Sequence, residues 1–289
     1  MREQIDEFIV HLKTVKNTPD NTVSSYKRDI LKLADYMEKR GITDVRDVTL
    51  DALKAYTTGL MEENYATASI IRQYTSIKAF FRYLVDNGNV TENPAENLRA
   101  PKAEKKEPRI LSAFEVESLL SQDFGEDALG KRDKAILELM YSTGLKASEV
   151  ISLKLSNVDM SIGCLRMEGE RLIPYGKKTR DALSGYLLNA RDELLSVKCD
   201  NVFLNYNGKP MSRQALWKLI KKYAVRAGID SDITPNDLRH SFGVHLLENG
   251  ADVDYVQEMM GFLGPNALTR YLSKKKKSKD PYEWARLRN

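Results

Sequence analysis

The chain has 289 residues, 42% of them hydrophobic and 30% charged, enough for one large or two ordinary globular domains with ample core. It has no apolar run of about 18 residues and no basic-then-apolar leader, which argues against a membrane span or a secretory signal and for the cytoplasm. A net charge of +4 is mild, and the two cysteines, Cys164 and Cys199, make neither a disulfide framework nor a metal-site spacing.

Residues 1–100 predict helix after helix. The first, over 1–16, carries Ile5, Phe8, Ile9 and Leu12 on one side. After Pro19, the residues Val23, Tyr26, Ile30, Leu33, Ala34 and Met37 form a stripe that Gly41 stops. A third helix starts near Thr49 with Leu50, Leu53 and Tyr56 inward, and a fourth runs from Ala66 to Asp86 over Ile70, Tyr74, Ile77, Phe81 and Leu84. Four helices of this length predict a small bundle. Its 14 Lys and Arg against 15 Asp and Glu leave it nearly neutral, so patch geometry decides what it binds. Arg72, Lys78 and Arg82 are candidates for a DNA-facing basic patch on the fourth helix, or for an ordinary solvated face.

Residues 93–109, with three prolines and alternating charges, read as a linker. Beyond them the balance shifts to 31 basic against 26 acidic residues in 101–289. Helices are expected at 113–121, 130–142, 146–154, 177–197 and 212–228. A hairpin of Cys164–Met167 and Arg171–Pro174 flanks Glu168-Gly169-Glu170, and Val202–Leu204 is a further candidate strand. In the helix at 212–228, Trp217 is expected in the core, while Arg213, Lys218, Lys221 and Lys222 face outward as DNA-binding candidates.

The most informative stretch is Thr234-Pro-Asn-Asp-Leu-Arg-His-Ser-Phe-Gly-Val-His-Leu-Leu247. Thr234 and Pro235 predict an N-cap and first helical residue. Leu238, Phe242, His245 and Leu246 then share a face, with Asn236 and Arg239 on a neighbouring one. Gly250 stops this helix, an amphipathic one follows through Val253, Val256, Met259 and Met260, and a break at Gly264-Pro265 precedes Tyr271.

This stretch, with Val256-Gln257 and Gly261, resembles the second motif block of the tyrosine recombinases (the phage integrase family), especially the bacterial Xer type. The segment 138–159, ELMYSTGLKASEVISLKLSNVD, resembles the family's first block, and the hairpin between them matches in order. The resemblance spans nearly the whole length and implies a mainly α, two-domain protein. Residues 1–92 would be an N-terminal four-helix core-binding, SAM-like bundle. Residues 110–289 would be a mixed α+β catalytic domain with a small antiparallel sheet, the two closing on duplex DNA as a clamp. It implies site-specific recombination or integration with neither metal nor nucleotide cofactor, and homo- or hetero-oligomers on DNA joined through the C-terminal tail, with Trp284 and Leu287 as its apolar anchor.

Strand transfer by a tyrosine needs a phenolate nucleophile, cations on the non-bridging phosphate oxygens and an acid for the leaving sugar oxygen. By resemblance Tyr271 is the nucleophile and Arg239 the second phosphate-gripping arginine. Lys146 stands where the family has its first arginine, Asn236 and Phe262 where it has histidines, and the hairpin lacks the stretch that carries the acidic lysine. Four of six catalytic positions therefore depart from the pattern. Lysine keeps the charge but loses the guanidinium fork. Lys177, Lys178 or Arg171 are candidates to compensate. The expectation is a folded, DNA-binding protein with weak or silent catalysis; an active recombinase and a non-enzymatic assembly partner are the alternatives. Arg239 paired structurally with Glu149 or Asp237, His245 as a core histidine, and Lys274–Lys277 as a solvated segment are the plain readings of those residues.

Overall fold

A computed structural model describes residues 1–102 and 109–261. Tyr271, Phe262, Gly264, Pro265, Lys274–Lys277, Trp284 and Leu287 lie outside the described residues. The chain divides into two compact units, Met1–Lys106 and Glu107–Asn289.

The first unit holds α1 (Arg2–Thr14), α2 (Asp20–Glu38), α3 (Leu50–Glu62) and α4 (Thr67–Asp86). The Thr49 hydroxyl accepts from the Ala52 N–H and so starts α3, satisfying one of the donors every helix start leaves open. Ile5, Phe8, Ile30, Leu33, Met37, Leu53, Tyr56, Ile77, Phe81 and Leu84 are all buried in one core. Each such side chain stabilises the bundle by about 1.5–3 kcal/mol through area removed from water.

The three candidate patch residues on α4 do not share one face. Arg72 reaches inward instead, and its Nε and Nη2 each donate at 2.8 Å to Asp29, a carboxylate only 1% exposed that also accepts from Ser76. Lys78 donates to the Glu96 carbonyl at 3.3 Å and Arg82 pairs with Asp86 at 3.1 Å. The physical reason is helical phase: six residues at about 100° each put Arg72 well away from Lys78, while Lys78 and Arg82 are neighbours.

In the second unit α5 (Ala113–Leu120) opens with a Ser112–Glu115 capping box. It is followed by α6 (Ala128–Thr143) and α7 (Ala147–Ser152). The sheet then runs β1 (Val158–Asp159), β2 (Cys164–Arg166) and β3 (Leu172–Pro174), all antiparallel in that order, with Leu165 opposite Ile173. Next come α8 (Lys177–Asn189), α9 (Arg191–Leu194), α10 (Arg213–Arg226), α11 (Pro235–Glu248) and α12 (Val253–Met260). Ile136, Leu137, Leu139 and Met140 of α6 are fully or almost fully buried, which makes this helix the axis of the core.

Three expectations are corrected here, and one short strand was not foreseen. The helix expected at 177–197 breaks at Ala190, whose φ of −145° is not helical. Val202–Leu204 is not a strand; isolated bridges join Lys154 to Asn201 and Leu204 to Pro210. β1, two residues long, is too short for any alternation to announce it. Trp217 is 38% exposed rather than core. Among the described residues no helix is long and apolar enough to cross a membrane.

Arg72→Met is expected to destabilise the first unit by about 3 kcal/mol, because it strands a buried carboxylate. Arg82→Met should change stability by about 0.5 kcal/mol or less, since its pair is exposed. Urea unfolding of the full chain, followed at the tyrosines, measures both.

Candidate functional site

The site forms where two helices end. α6 stops at Gly144, whose φ of 61° is left-handed, and α12 stops at Met260 before Gly261 with φ 65°. The last carbonyls of a helix have no partner within it and carry the negative end of its dipole. Arg239, on α11, fills that role: its Nη1 donates to the Gly144 carbonyl and its Nη2 to the Met260 carbonyl. α11 is held in position by Thr234, whose hydroxyl accepts from the Asp237 N–H while the Asp237 carboxylate accepts from the Thr234 N–H at 2.7 Å.

Arg239 is only 4% exposed. Burial pushes its guanidinium down, to about 10, against a pull upward from Glu149 and a further push down from Arg171. The group therefore stays cationic at neutral pH. Of the two structural partners considered, the Asp237 carboxylate is committed to the cap. Glu149 acts on Arg239 through its field.

Lys146 is exposed and sits at the N-cap of α7. Its N–H donates to Glu149 Oε2 at 2.7 Å and its Nζ approaches the Gly261 carbonyl at 3.4 Å. The two motif blocks thus meet at residues 260–261, with Arg239 and Lys146 on neighbouring carbonyls. Asn236 is exposed on the first turn of α11, and among the described residues no hydrogen bond ties it to this cluster.

Arg171 arrives from the hairpin. Its Nη2 donates to Glu149 Oε1 at 2.5 Å, and a Cβ added to Gly261 would overlap its Nη1. Of the three compensating candidates this is the one brought to the cluster: Lys178 pairs with Glu117 at 3.7 Å on α5, and Lys177 is exposed at the start of α8. Beside Arg171 an open cleft of about 1080 Å³ is lined by Glu149, Glu168, Glu170, Glu258 and Lys154.

His245 is a core histidine, buried with its Nδ1 2.8 Å from the Tyr141 hydroxyl. On α10, Arg213, Lys218 and Lys221 are exposed, and Trp217 lies among them. Lys222 turns instead toward the buried pair Asp133 and Tyr223, 3.8 Å from the carboxylate and 3.3 Å from the hydroxyl. The candidate cations on α10 that face solvent unpaired, among the described residues, are Arg213, Lys218 and Lys221. α10 carries no acidic residue.

Comparison with known proteins agrees with this architecture. Residues 109–278 match the phage integrase family and residues 5–88 the phage integrase N-terminal SAM-like domain. The chain belongs to the phage integrase family, the tyrosine recombinases. A relative from Caldanaerobacter subterraneus, named as a tyrosine recombinase, is 41% identical over 96% of each chain. The tyrosine recombinase XerD of Halalkalibacterium halodurans is 38% identical over 90% of this chain and 89% of its own. Among solved structures, the Tn1549 transposon integrase in complex with circular intermediate DNA has a TM-score of 0.73 at 18% identity, covering 99% of this chain and 98% of that one.

Gly144→Ala is expected to destabilise the second unit by about 2 kcal/mol. The added Cβ would lie 2.5 Å from the Phe242 ring, in a left-handed conformation that disfavours any side chain. A lowered urea midpoint, with unchanged slope, is the result to look for.

Proposed function

We propose that this chain binds duplex DNA and grips one phosphodiester with Arg239 and Lys146, within a site-specific recombination or integration system. The observation that carries the reading is the buried Arg239 guanidinium, fixed on two helix-end carbonyls one residue from the carbonyl that Lys146 approaches. The XerH recombinase and the Tn1549 integrase, whose folds are similar, are solved with DNA, and the reading carries that partner over.

In this reading Tyr271 is the nucleophile. Its phenol gives up a proton, its oxygen bonds phosphorus, the P–O5′ bond breaks, and the freed 5′ oxygen takes up a proton. One phosphoester replaces another, so a 3′-phosphotyrosine forms without nucleotide energy or any change of oxidation state. Arg213, Lys218 and Lys221 of α10 are the matching groove or backbone contacts. The division into 1–92, 93–109 and 110–289, and assembly through the C-terminal tail, belong to the same reading.

Catalysis is slow in this account. Lys146 has one point charge where a guanidinium would grip two oxygens, Phe262 cannot donate, and the hairpin has no lysine. Each loss of this kind typically lowers a rate roughly 10²–10⁴-fold, without adding simply. One observation favours a second reading, an active enzyme with a rebuilt pocket: Arg171 stands beside the cluster on Glu149.

The test is covalent trapping on nicked duplexes chosen from bound genomic fragments. DNA affinity should fall steeply with salt, as phosphate neutralisation requires. Adduct should be scarce, absent in Tyr271→Phe, and raised about tenfold or more by Lys146→Arg. Abundant adduct from the unmodified chain supports the rebuilt pocket instead. Absence of DNA binding leaves only an assembly role.

A further inference from the structure

We propose that Arg171 is a third cation of the phosphate pocket and donates to a non-bridging oxygen of the phosphodiester held by Arg239 and Lys146. This rests on the phosphate reading above and adds a residue that the family resemblance does not assign.

Three observations carry it. The first is placement by a short turn. Gly169 and Glu170 adopt φ of 70° and 61°, and the Met167 N–H donates to the Arg171 carbonyl at 2.9 Å. The hairpin is thereby closed directly behind Arg171, whose side chain is the first to leave the turn toward α7 and α12. The second is its seat. Only 13% of the side chain is exposed, and its Nη1 lies over Gly261, where the lack of a Cβ makes room for it. The same glycine presents its carbonyl to Lys146, and the preceding residue presents its carbonyl to Arg239.

The third is an unfilled donor. Nη2 is held by Glu149, yet the buried Nε has no hydrogen-bond partner among the described residues. Buried donors are nearly always satisfied, and one left over beside a cluster of cations points to an acceptor supplied by a ligand. Glu149 is a poor candidate to supply more. Its Oε2 already accepts the Lys146 N–H, and its single charge also acts on Arg239.

The role is electrostatic. A guanidinium stays protonated throughout, so Arg171 moves no proton, and the leaving 5′ oxygen draws its proton from elsewhere. Arg171 would add to this pocket a fixed positive charge and one free donor, its Nε, beside the point charge of Lys146.

The test compares full chains carrying Tyr271→Phe, so that only binding is read, with Arg171 intact or changed to Ala, Gln or Lys. Duplexes selected from bound genomic fragments carry a neutral methylphosphonate at each phosphate in turn. At one phosphate, neutralisation should weaken the Arg171 protein markedly. That penalty should shrink about fivefold in Arg171→Ala and Arg171→Gln, and less in Arg171→Lys. Because the penalty is a ratio within each variant, partial loss of folded protein cancels, and Arg171→Gln keeps much of the packing if Arg171→Ala unfolds. Equal penalties in all variants at every phosphate overturn the role of Arg171 while leaving the phosphate reading intact. Failure of the Arg171-bearing chain to bind any duplex overturns both.

Discussion

In the second unit one buried cation, Arg239, joins the ends of two helices. Removing a guanidinium from water costs several kcal/mol unless geometry and partners compensate. Here the compensation comes from the ends of two helices: the Gly144 and Met260 carbonyls need donors as much as Arg239 needs acceptors. The bonds tie α6, α11 and α12 at one point and hold a positive charge there. Structure and binding are therefore not competing explanations of Arg239. In the proposed reading, the contacts that make it structural are also those that would orient it toward a phosphate.

Around that charge the remaining residues follow from short-range chemistry. Glu149 starts α7 by accepting the Lys146 N–H, and the same carboxylate anchors Arg171 from across the hairpin. Left-handed glycines make the close approaches: Gly144 under the Phe242 ring and Gly261 under Arg171. A family pocket with arginine at 146 and a lysine on a longer hairpin would distribute its cations differently. This chain gathers them at the end of α12 instead.

Much of this was legible in the residues alone. Thr234, Pro235 and Asp237 spell a capped helix start, and the apolar steps from Leu238 to Leu246 set its buried face. The hairpin and the four N-terminal helices were legible in the same way, from turn residues and period. Tertiary pairings were not. Arg72 looks like any surface cation until Asp29, on another helix, is seen to be buried opposite it. Arg239 meets a carbonyl 95 residues away, a pairing that no local pattern encodes. Trp217 is a different kind of miss, because the signal was present. Leu216, Leu219, Ile220, Tyr223 and Ala224 already fill the inner face of α10, leaving the indole a place among Arg213, Lys218 and Lys221.

The most direct measurement is a structure of the full chain on a duplex it selects. The account predicts a backbone phosphate within hydrogen-bond distance of Arg239 and Lys146, with Arg239 still on the Gly144 and Met260 carbonyls. DNA bound elsewhere, with no phosphate at this cluster, would reduce Arg239 to a structural tie and contradict the central claim.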